Sequence, residues 1–114
     1  MRIKEIIEKL NLTVYFSPEE DAEITGGYAC DLLSDVMGHA DAGSIWVTIQ
    51  THQNIVAVAV LANLPAIVLS RGVKPQDLTI DKCRDESVYL LGTEETTFEM
   101  TGRLYDLGIR GTKR

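Results

Sequence analysis

The sequence predicts an α/β fold, a mostly parallel sheet with helices on both faces, and three observations carry that expectation. First, residues 45–75 read as one β-α-β unit: strand-like IWVTIQ, polar THQN, continuous apolar IVAVAVLA, then PAIVLS and RGVKP. Second, extended and helical segments alternate from Ile45 onward as β-α-β-α-β-α, and right-handed crossovers then set the strands side by side in one direction. Third, 114 residues with 45% apolar and 25% charged side chains suit a single domain, residues 1–114, built on one core.

The elements follow in chain order. Ile3, Ile6, Ile7 and Leu10 recur at i, i+3, i+4 and i+7 with charges between them, which predicts an amphipathic helix that Asn11 stops. Residues 12–16, LTVYF, are rich in strand formers and predict a first strand. Ser17-Pro18-Glu19-Glu20 has the N-cap, N1 proline and N3 glutamate of a capping box, so a short helical turn is expected there. Residues 23–28 are extended, weakened as a regular strand by Gly26-Gly27. Residues 31–37 read as a helix whose acids favour its positive end and whose stop is Gly38.

Asp41-Ala42-Gly43 is a turn into the strand at 45–49. Residues 55–62 are all apolar, which suits a buried helix or a buried strand; Asn54 as N-cap, three alanines and Asn63 beyond the end favour the helix. A helix apolar all round must be covered on every side, which points to a second subunit as well as the sheet. Residues 65–69 form the next strand. Pro75 sits at a first helical position, and residues 76–86 form a charged surface helix tethered by Leu78, Ile80 and Cys83. Residues 87–91 are a strand, and residues 94–107 a last helix, expected to turn Phe98, Thr101, Leu104 and Tyr105 to one side and to end at Gly108.

Composition excludes several functions. The formal charge of −6 opposes attraction to phosphate backbones, so nucleic acid is not an expected partner. The basic cluster from Arg110 to Arg114 reads as a solvated tail. No apolar run is long enough to cross a bilayer, and the opening residues mix acids and bases at helical spacing, unlike a signal peptide, so a cytoplasmic protein is expected. Cys30 and Cys83 lie far apart without a C-x-x-C pattern and read as small apolar groups, not as a disulfide. Asp35 and His39 share a helix face at i, i+4, but two ligands fall short of the three or four that zinc needs, and such pairs are usually surface neighbours. Asp31 and Asp35 answer to the helix dipole without need of chemistry.

Catalytic motifs are missing parts. No G-x-x-x-x-G-K-[ST] loop, no G-x-G-x-x-G after a strand, and no recognisable nucleophile arrangement of Ser or Cys with His and an acid is present, so no enzyme activity and no cofactor are expected. What remains is a rim. Thr51, His52, Asn54, Ser70, Arg71, Gly72, Thr93 and Thr96 all fall on predicted strand-to-helix turns, and in a parallel sheet they share the edge where open α/β sheets bind ligands. Helix N-termini, hydroxyls and one arginine suit a small anion there. The bland alternative is that Asn54 and Thr93 cap helices and Ser70-Arg71 is an exposed loop.

Three segments carry a family resemblance: Gly27-Tyr28-Ala29-Cys30-Asp31-Leu32-Leu33-Ser34-Asp35-Val36-Met37, Leu69-Ser70-Arg71-Gly72-Val73-Lys74-Pro75, and Thr93-Glu94-Glu95-Thr96-Thr97-Phe98. In their order and spacing the chain resembles the DRTGG domain family, regulatory modules found alone, between paired CBS domains in some pyrophosphatases, and in phosphotransacetylase-like proteins. It is also similar in fold to the amino-terminal domain of HPr kinase/phosphorylase. The resemblance runs over residues 24–109. It departs at His52-Gln53, where many relatives carry an Asp-Arg pair, and at Ser70-Arg71-Gly72, where they carry Thr-Gly-Gly; Arg71 then supplies a charge from a different direction. The resemblance implies a regulatory domain working as a homodimer or higher homo-oligomer, sensing a small anionic metabolite such as a nucleotide, or else a ligand-free assembly module for a partner enzyme.

Overall fold

The computed structural model describes residues 1–111. Ten elements follow one another: α1 (Ile3–Leu10), β1 (Thr13–Phe16), β2 (Gly26–Ala29), α2 (Leu33–His39), β3 (Ser44–Thr48), α3 (Asn54–Ala62), β4 (Ala66–Leu69), α4 (Asp77–Glu86), β5 (Tyr89–Gly92) and α5 (Thr97–Asp106). The strands form one sheet in the order β1-β5-β4-β3-β2. Strands β2 to β5 are parallel, and β1 closes the far edge antiparallel to β5. The expected α/β class with a mostly parallel sheet is thus what the chain adopts.

Strands β3, β4 and β5 are buried on both faces, and for that reason they read as unbroken apolar runs. Alternation splits the core in two. Ile45, Val47, Ala66, Val68, Tyr89 and Leu91 face α1 and α5, where Ile3, Ile6, Met100 and Leu104 meet them. Trp46, Ile67, Leu69 and Leu90 face α2, α3 and α4, represented by Val36, Ile55, Ala59 and Cys83. All three crossovers between parallel strands therefore lie on one face, as right-handed connections between consecutive strands require. Only the loop after β5 leaves toward the other face.

Helix ends behave partly as expected. Asn11, Asn63 and Gly108 adopt left-handed backbone (φ 52°, 57° and 98°) and end α1, α3 and α5. Other expectations are corrected. Residues 17–21 form no helical turn: the Ser17 hydroxyl donates to the Pro18 carbonyl, and the loop is held by Lys4 Nζ on Glu19 O and by Tyr89 OH on Glu20 O. Helix α2 starts at Leu33 and runs through Gly38 to His39. Gly26-Gly27 sit in a regular parallel edge strand.

On α4 Cys83 and half-buried Ile80 tether the helix as expected, with Thr79 buried beside them, whereas Leu78 is exposed. On α5 the buried stripe is Met100 and Leu104, while Phe98 and Tyr105 point outward, Phe98 at 83% exposure. Thr97 lies on the inward side with them, its hydroxyl meeting that of buried Ser70 at 2.6 Å. Helix α3 leaves Ala57, Val60 and Leu61 exposed, so the cover expected on every side is not complete within one chain. Of the basic cluster, Thr112, Lys113 and Arg114 lie outside the described residues. The Arg110 guanidinium stacks 3.9 Å from the Tyr105 ring.

Candidate functional site: the carboxyl rim of the sheet

Because β2 to β5 all run the same way, the turns that follow them gather along one edge. The β2 end is tied to the β3 end by Asp31. Its carboxylate accepts the buried Thr48 hydroxyl at 2.7 Å and the Ile49 N–H at 3.0 Å, while Gln50 Nε2 donates to the Asp31 carbonyl at 3.0 Å. Asp31 thus precedes α2 and bridges two strand ends, a stronger duty than answering to a helix dipole. Asp35 likewise accepts the Tyr28 hydroxyl.

The turn after β3 is bound to the next loop. The Thr51 carbonyl accepts the Thr79 hydroxyl at 2.7 Å and the Gln76 N–H at 3.3 Å. Asn54 is the first residue of α3 and does not cap it: the N-cap position is Gln53, without a side-chain bond, and His52 Nδ1 accepts the Asn54 N–H at 3.1 Å. That bond requires the His52 tautomer with Nδ1 unprotonated. His52 and Asn54 are both exposed.

Between β4 and β5 the turns diverge, the β4 turn leaving for α4 on one face and the β5 turn for α5 on the other. Arg71 and Gly72 are both left-handed there (φ 59° and 68°). They are held by Arg71 N–H on the Glu95 carbonyl at 2.6 Å and by Gly72 N–H on the Thr93 carbonyl at 2.9 Å. The positive φ favours glycine at position 72, while the nearest atoms to a Cβ there belong to the exposed Glu94 carboxylate, which can swing aside. Thr93 Oγ1 accepts the Glu95 N–H at 3.2 Å, and Thr96 is the N-cap of α5, accepting the Glu99 N–H at 3.3 Å. Thr93 therefore shapes the loop, and Thr96 does the capping.

The fold brings all eight rim residues to one edge but has already engaged many of their polar groups. What stays available is charge. Arg71 and Lys74 are exposed on the β4–α4 loop, and neither makes an ion pair among the described residues. Against them stand the exposed Glu94 and the Glu95 carboxylate, which is bound to Arg103 at 3.0 Å. A non-glycine residue at positive φ costs about 1–2 kcal/mol. Arg71 is kept there by the two backbone bonds that join the β4 and β5 turns, the over-determined kind of strain that gathers at ligand clamps.

Residues missed by sequence reasoning are Asp31, Gln50 and Lys74; the signal was the acid immediately after a strand, at the same level as Thr48. Among the described residues no group of three or more His, Cys, Asp or Glu is placed to hold a metal ion, and no helix is long and apolar enough to cross a membrane. Both cysteines are free, and burial pushes the Cys83 thiol up to about 12.

No protein-family model and no curated protein matches the chain. Among solved structures it is similar to the CBS and DRTGG domains of the regulatory region of Clostridium perfringens pyrophosphatase, a structure complexed with the activator diadenosine tetraphosphate. The TM-score is 0.66 at 11% identity, over 98% of this chain and 50% of that one. The chain thus spans half the length of the structure it matches. The likeness is one of fold.

Proposed function

We propose that this chain is a non-catalytic regulatory domain, related to DRTGG domains and acting in the cytoplasm. It binds a small anionic metabolite, such as a nucleotide, at the carboxyl rim and signals through the arrangement of a homo-oligomer. The observation that carries this reading is the divergence of the β4 and β5 turns to opposite faces beside Arg71, which is exposed, sits in a strained backbone and makes no ion pair among the described residues. The likeness to a regulatory region complexed with an activator nucleotide supports the same ligand class. Binding beside these two turns acts on α4 and α5 together. A ligand shifts a subunit arrangement only if it contacts the two states differently, and α5 carries such contacts from the rim to an exposed face.

The second reading is a ligand-free assembly module for a partner enzyme. It is favoured by one observation: the Arg71, Gly72 and Glu95 N–H groups, which would greet an anion, already have partners in the chain. A thermal-shift screen with mono-, di- and triphosphate nucleotides, diadenosine tetraphosphate and phosphorylated sugars separates the two. A ligand at a hundred times its Kd adds about 2.7 kcal/mol, roughly 11 °C in a chain of this size. Arg71→Ala abolishes that shift under the sensing reading. No shift with any of these compounds at millimolar concentration supports the module.

A further inference from the structure

We infer that the outer face of α5 is a self-complementary interface at which two copies of this chain pack antiparallel about a two-fold axis passing between Thr101 and Gly102. The inference rests on the proposed homo-oligomer and names the surface that makes it. Phe98, Gly102 and Tyr105 line the outward side of α5, with Thr101 at its margin, so two aromatic side chains flank a centre of two small residues. Gly102 sits in the helix interior, where glycine costs about 1 kcal/mol relative to alanine. Nothing within the chain requires it, because a Cβ there would meet no atom within 4 Å. Close approach of a second backbone does require it.

The two ends of the stripe fit each other. An axis between Thr101 and Gly102 pairs position 98 with position 105 of the other copy, each about 5 Å along the helix from the axis. Beside Tyr105 lies an apolar cleft of about 300 Å³ between α5 and the edge strand β2, lined in part by Gly27, Tyr28, Thr101, Leu104, Tyr105 and Ile109. A cavity of about 150 Å³ already takes a benzene molecule. Phe98, at 83% exposure, is therefore the knob, and the cleft of the second copy is its hole. Charge agrees with the antiparallel sense. Exposed Glu94 stands before the start of α5 and Arg110 just beyond its end, so the axis sets Glu94 of one copy beside Arg110 of the other, while the exposed acids Glu99 and Asp106 lie to one side of the stripe.

Sedimentation equilibrium of the full chain tests the inference. Wild type associates as a dimer, Phe98→Ser weakens it about thirtyfold or more, as the loss of an anchoring aromatic does, and Gly102→Gln does the same by blocking close approach. Both positions are exposed, and unchanged far-ultraviolet circular dichroism confirms that each variant is folded. Gly102→Cys forms an intermolecular disulfide on mild oxidation, while Leu61→Cys on the exposed face of α3 does not. A wild type that stays monomeric at millimolar concentration overturns both this interface and the proposed oligomer. A dimer that survives Phe98→Ser and Gly102→Gln but falls apart on Leu61→Ser overturns this interface alone.

Discussion

Replacing Asp31 by alanine tests whether the strand ends are tied together as described. Thr48 is fully buried, its hydroxyl donates to Asp31 at 2.7 Å, and the same oxygen accepts the Gln50 N–H at 3.2 Å. Asp31→Ala removes the acceptor that this hydroxyl has among the described residues, and an unsatisfied buried donor costs about 1–3 kcal/mol. The Ile49 N–H loses the same carboxylate but lies where water replaces it, so it adds little. The expected destabilisation is about 2 kcal/mol. With an m-value of about 1.5 kcal/mol/M, the urea midpoint falls by roughly 1.3 M, and Tm falls by about 8 °C. A double-mutant cycle isolates the bond: Thr48→Val removes the orphaned hydroxyl, so Asp31→Ala in that background costs about 1 kcal/mol less than in wild type. An Asp31→Ala variant within 0.5 kcal/mol of wild type, or strict additivity in the cycle, would refute the bridge.

Three further outcomes follow from the geometry. Gly72→Ala loses about 1–2 kcal/mol in urea denaturation, from its positive φ, whereas Arg71→Gly stays within about 0.5 kcal/mol because relief of strain offsets the added chain entropy. Thr96→Ala removes the N-cap of α5 and costs about 1 kcal/mol by the same assay. The Cys83 thiol stays protonated in the folded chain up to about pH 12, against an unfolded value of 9.0. The unfolded state therefore releases this proton first, and stability falls as pH rises from about 9 toward 12, by about 1.4 kcal/mol per unit. Cys83→Ala flattens that slope in denaturation curves at pH 8, 9 and 10; an identical slope would show that other groups cause it.

The parallel half of the fold was legible because buried strands such as AIVL and YLLG leave no polar face to misread, and because their spacing admits only helical crossovers. The direction of β1 was not, since a four-residue edge strand pairs equally well either way and its choice is settled by β5. The capping-box pattern at Ser17 misled because a cap needs a helix with an apolar face behind it, and residues 21–25 supply none. On α5 two stripes competed, and the larger aromatic one looked like core. Met100 and Leu104 pack into the core, and the Ser70–Thr97 bond lies on the same side of the helix. The rim residues could be named from the turns alone. Their engagement with one another could not, because Arg71 to Glu95 and Thr51 to Thr79 are contacts between turns far apart in sequence.

The most direct test of the regulatory reading is an amide chemical-shift map of the isotope-labelled chain titrated with ATP, ADP and diadenosine tetraphosphate. The account predicts saturable shifts concentrated at residues 49–54, 70–74 and 93–97, weaker ones along α5, and loss of the whole pattern in Arg71→Ala. A spectrum that does not change at millimolar ligand, or shifts confined to the opposite end of the sheet around Pro18 and Ser87, would contradict it.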